Sequence, residues 1–105
     1  MIIVSTEEVA GREIKKQLGI ARGNTVRARN IGSDIGASLK SLVGGKIGGY
    51  VKVLTQAREE VTAEMIRDAQ DRGADAIVNV RYTTSQVMQG AAEVMVYGTA
   101  VTLGK

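Results

Sequence analysis

The sequence predicts an α+β domain, one long helix packed on a small, mostly antiparallel sheet, and three stretches carry that reading. Between Tyr50 and Arg72, apolar residues recur at steps of three and four: Leu54, Ala57, Val61 and Met65 form one stripe, flanked by Val53, Ile66 and Ala69. From Ala74 to Tyr82 the period changes to two, which places Ala76, Val78, Val80 and Tyr82 on one strand face, toward the helix. From Glu93 to Leu103 the chain alternates again, with Val94, Val96, Gly98 and Ala100 on one face and Met95, Tyr97 and Val101 on the other. A strand apolar on both sides in so small a domain asks for a second covering layer, from its own chain or another.

The remaining elements follow in order. Ile2 to Ser5 reads as a short strand, and Gly11 to Leu18 as at most two helical turns closed by Gly19. Ile20 to Ile31 reads as a strand with Val26 and Ala28 on one face and Arg27 and Arg29 on the other. That arginine pair suits a solvated face first, then a salt bridge to a neighbouring subunit or an anion-attracting lining of a ring. Ser33 to Val43 spaces Ile35, Leu39 and Leu42 or Val43 as a second short helix, with Asp34 in its first turn. After the main helix, Asp68 stands four residues before Arg72, the favourable orientation, and Gly73 occupies the place of a left-handed cap. Gln86 to Ala91, with Gly90, suits the turn of an antiparallel hairpin.

At 105 residues the chain is a single domain with one core, and with no Phe or Trp that core is built from Val, Ile, Leu, Ala and Met. Such a thin core predicts modest stability as a monomer, which self-association relieves. The charge of +3 is uneven: residues 1 to 52 carry nine Lys or Arg against four acids, and residues 53 to 105 carry five against seven. This falls short of the dense basic footprint of a nucleic-acid binder, and the scattered Tyr50, Tyr82 and Tyr97 offer no stacking platform. There is no Cys and no His, which removes disulfides, thiolate and imidazole catalysis and Cys/His metal sites. Neither a signal peptide nor a membrane span is expected, so a cytoplasmic location is the default.

Gly44, Gly45, Lys46, Gly48, Gly49 and Tyr50 form the sequence's candidate binding loop, a backbone-permissive run just ahead of the long helix. It can cradle a small anion on free N–H groups, with Lys46 adding charge, or let two backbones pass closely. It is not a Walker A loop: Lys40 stands where the first glycine belongs and Ile47 where Ser or Thr belongs. No catalytic residue set emerges, since there is no Ser elbow and Glu59, Glu60, Glu64, Asp68 and Asp71 describe the wet side of a helix. With Asp75, these carboxylates are the available ligands for a hard cation, without EF-hand spacing.

Several blocks resemble the YbjQ family of small prokaryotic proteins: Thr6 with Gly11, Leu18-Gly19-Ile20 with Gly23, Asn30 with Asp34 and Ala37, Val43-Gly44-Gly45-Lys46 with Tyr50, Gly73 to Val78, and Gly98-Thr99-Ala100-Val101. The resemblance runs almost end to end. It implies a dodecin-like α+β subunit assembled into a ring-shaped homopentamer, with extra short strands joining subunits. The family carries a heavy-metal-binding label, while this chain offers soft metals only methionines and oxygen groups. The resulting expectation is a non-enzymatic, ring-forming homo-oligomer with no cofactor and no bound metal, acting as a scaffold or binding module; its partners are copies of itself and a small anionic ligand at the glycine loop, with neither nucleic acid nor membrane among them.

Overall fold

The structure, a computed structural model, describes residues 1–27, 48–88 and 91–104. In chain order the elements are β1 (Ile2–Ile3), β2 (Ile14–Arg27), α1 (Gly48–Asp71), β3 (Ala76–Met88) and β4 (Ala91–Leu103). They make a four-stranded sheet in the order β1-β3-β4-β2, with α1 lying over β2 and β4. The pairings β2–β4 and β3–β4 are antiparallel and β1–β3 is parallel, so the predicted α+β class and mostly antiparallel sheet are both observed.

The helix carries the stripe its spacing predicts. Ala57, Val61, Met65 and Ala69 are fully buried against Ala21, Ile77, Val80, Val94, Val96 and Ala100, with Leu54 and Ile66 at the margins. The C-terminus ends as Gly73 requires: its φ is +80°, its N–H bonds to the Gln70 carbonyl at 3.0 Å, and the Ala74 N–H bonds back to Ala69 at 3.0 Å. This pair of bonds is a Schellman cap. Arg72 Nε meets Asp68 Oδ1 at 3.3 Å, the predicted pair one turn apart.

Two expectations are corrected. The Gly11 to Leu18 segment is not helical. A Val9–Arg12 turn, with Gly11 at φ +76°, leads straight into β2, where Ile14 pairs with Leu103 and Gln17 with Val101. A helix this short gains little by itself, whereas β4 needs a partner along its full length. Gly19, at φ +95°, sits in the register shift between Gln17 and Ile20, so it marks a bulge and not a helix cap.

The second correction concerns β3. Val80 faces α1 and Tyr82 reaches it, but Ala76 and Val78 turn to the opposite side and pack with Val9 and Val101 in a second cluster, bordered by Val4, Ile14 and Leu103. The cause is Asn79, at φ 55°, an extra residue between the pairs Val78↔Thr99 and Arg81↔Tyr97. One inserted residue exchanges the faces of everything before it. The bulge is pinned by the β1 segment: Asn79 and Val80 N–H groups bond to the Thr6 and Val4 carbonyls at 2.9 and 3.0 Å. The two faces expected of β4 are observed, and the chain supplies part of its own second layer where residues 4–12 cross behind the sheet. The predicted helix at Ser33 to Val43 lies outside the described residues.

Candidate functional site

Of the predicted loop, Gly44, Gly45 and Lys46 lie outside the described residues, and Gly48, Gly49 and Tyr50 form the first backbone turn of α1. The long helix therefore starts two residues after Lys46, and no acidic side chain stands in its first turn to offset the positive end of its dipole. Arg27 ends β2 opposite Ala92, and Arg29 lies outside the described residues.

The site the structure does describe lies on the other flank of α1. Because the helix crosses β2 and β4, it leaves β3 largely uncovered, and an open groove of about 560 Å³ runs between Thr55, Arg58, Glu59, Thr62, Ala63 and Ile66 on the helix and Tyr82 on β3. Thr62 Oγ1 lies 2.6 Å from the Arg58 carbonyl and 2.7 Å from Tyr82 Oη. A carbonyl only accepts, so the single threonine proton goes to Arg58 and Tyr82 donates to Thr62. Tyr82 Oη is thereby left as an acceptor toward the groove, beside the Arg58 guanidinium, whose Nη2 bonds Thr55 Oγ1 at 3.1 Å.

The two long sides of the sheet differ sharply. Along β2 the outward backbone groups are capped by the helix: Arg22 N–H donates to Asp68 at 3.2 Å, Asn24 N–H to Glu64 at 3.4 Å, and the Leu18 carbonyl accepts from Arg72 at 3.1 Å. Along β3, β1 ends after two residues, and among the described residues nothing pairs with the outer edge beyond Val80. Alternation from Val80, whose N–H points to the β1 side, turns the backbone groups of Tyr82, Thr84 and Gln86 outward. Sequence periodicity cannot reveal this, because strand order decides which edges are free.

The carboxylates proposed as cation ligands stay dispersed. Among the described residues no group of three or more acidic, Cys or His side chains is placed to hold a metal ion, and the Asp75 carboxylate is taken by the Leu103 N–H at 2.8 Å.

A family model described as "Putative heavy-metal-binding" matches residues 1–104. The chain belongs to the YbjQ family. Among curated relatives, a UPF0145 protein of Photobacterium profundum is 52% identical over 98% of this chain and all of its own length. One of Methanosarcina acetivorans is 54% identical over 96% of this chain and 95% of its own. A crystal structure of a DUF74-family protein of unknown function from Pediococcus pentosaceus shares the fold, with a TM-score of 0.65 at 17% identity, covering 99% of this chain and 98% of that one. No helix among the described residues is long and apolar enough to cross a membrane.

Proposed function

We propose that this YbjQ-family protein is a non-enzymatic, cytoplasmic subunit of a homo-oligomeric ring, a pentamer, acting as a scaffold or binding module. The observation that carries this is the open edge of β3. Residues 82–88 are uncharged and free of proline, and include the exposed Tyr82 and Val87. A bare strand of this kind is a hazard in a monomer unless another chain covers it. The capped edge of β2 shows the contrast within one molecule: where the fold supplies side chains, the edge is closed. The groove beside β3 gives an approaching subunit apolar contact with Ile66 and Ala63. The absence of Cys and His supports the non-enzymatic part of the reading.

Native mass spectrometry at micromolar protomer concentration tests it. A pentamer is expected, and a monomer overturns the reading. Thr84→Pro removes one outward N–H while leaving the β3–β4 ladder intact, since the Thr84 backbone points away from β4. It is expected to shift the assembly toward folded monomer.

A second reading places a small anion at the glycine loop, favoured by the start of α1 just after Lys46 and by the acid-free first turn. Lys46→Ala should then weaken phosphate binding; an unchanged response removes this reading.

A further inference from the structure

Among the described residues, the sheet face turned away from α1 is covered at one end only. Residues 4–12 shield Ala76, Val78 and Val101, and among the described residues nothing covers the strands beyond them. The register there sets Arg22 directly beside Tyr97 on one flank and Arg81 directly beside it on the other. Neighbouring strands are about 4.8 Å apart, so two guanidinium-bearing residues stand about 10 Å apart across one aromatic ring. The Arg22 side chain is exposed, and among the described residues it makes no ion pair or hydrogen bond; only its backbone N–H is engaged, with Asp68. Arg81 uses Nη1, on the Ser5 and Val80 carbonyls at 3.0 and 3.2 Å, which holds its guanidinium at the β1 side of β3, with Nη2 and Nε making no hydrogen bond among the described residues.

Like charges placed this close repel, and among the described residues the surrounding rows do not relieve them. The next row is Asn24, Met95 and Thr83, and the one after it Val26, Glu93 and Ser85. Glu93 is the only acid in these rows, and Asn24 Nδ2 bonds to it at 3.3 Å. We propose that the row Arg22–Tyr97–Arg81 binds a small, multiply charged oxyanion of the diphosphate kind. The planar guanidinium fork matches phosphate oxygens in pairs, and a ligand with two charged groups would satisfy both arginines across the ring. Half-buried Tyr97, between the two arginines in register, gives the site its floor.

The residues of this site differ from those of the glycine loop and from Tyr82, Thr84 and Gln86, whose backbone groups form the open edge of β3. The test is isothermal titration of the intact protein with inorganic pyrophosphate, with sodium sulfate at matched ionic strength as comparator. Saturable pyrophosphate binding is expected, weakened at least tenfold in Arg22→Gln, which keeps most of the stem and removes the charge. Arg81→Gln should weaken it similarly, but because Arg81 also holds Ser5, Arg22→Gln is the deciding variant. Lys46→Gln should leave the affinity unchanged. No saturable binding, equal binding of sulfate, or full affinity in Arg22→Gln each overturns the proposal, and loss in Lys46→Gln alone transfers the anion to the glycine loop.

Discussion

Gly23→Ala should be among the most damaging single-atom additions in this protein. Gly23 sits on β2 where α1 crosses it, and a Cβ placed there would collide with the Val61 carbonyl oxygen while lying 2.9 Å from the Val61 carbonyl carbon and 3.0 Å from the Met65 nitrogen. All three are backbone atoms, so no rotamer change relieves the overlap. Ordinary carbon contacts lie near 3.5–4.0 Å, which obliges α1 to retreat from the sheet by about 1 Å. A gap of that size forfeits roughly a quarter to a half of the dispersion attraction across it. The layer affected includes Ala57, Val61 and Met65, all fully buried. Overpacking of this kind costs about 1–3 kcal/mol where side chains can yield, and backbone against backbone should reach or exceed the upper value. With about 3 kcal/mol lost, the melting temperature should fall by roughly 12–24 °C. Thermal and urea denaturation followed by circular dichroism, at a fixed protomer concentration, measures this. Gly73→Ala is the control: no atom lies within 4 Å of its added Cβ, so only the φ of +80° is penalised, at about 1–2 kcal/mol. If Gly23→Ala costs no more than Gly73→Ala, the close crossing of helix and strand is not what holds α1 in place.

Met65→Ala removes the largest fully buried side chain among the described residues and should lower stability by about 2–5 kcal/mol in urea unfolding, leaving the helical spectrum of the folded protein unchanged. Asn79→Gly should be close to neutral and Asn79→Ala should cost about 1 kcal/mol, because the bulge needs φ 55°, which glycine accepts freely and alanine does not. Asp75→Ala leaves the Leu103 N–H without its carboxylate and should cost about 1 kcal/mol, read by denaturation and by faster amide exchange at Leu103.

Much of the fold was legible in the residues because helix and strand periods are local. The stripe of α1, the cap at Gly73, the Asp68–Arg72 pair and the two faces of β4 all follow from spacing, and each is observed. The same locality explains the errors. Whether Ile14 to Leu18 coils or extends depends on β4, some eighty residues away, and nothing in five residues records that partner. The exchange of Ala76 and Val78 to the outer face turns on one asparagine, whose left-handed backbone is held by carbonyls of Val4 and Thr6. The candidate sites divide in the same way. The glycine loop could be named from composition alone, but Gly48 and Gly49, expected in that loop ahead of a helix starting at Tyr50, instead form its first turn. The free β3 edge, the helix-capped β2 edge and the row Arg22–Tyr97–Arg81 exist only through strand order and register. Periodicity assigns side chains to faces because it is a property of one segment; which segments become neighbours is set by long-range pairing, and only the folded chain decides it.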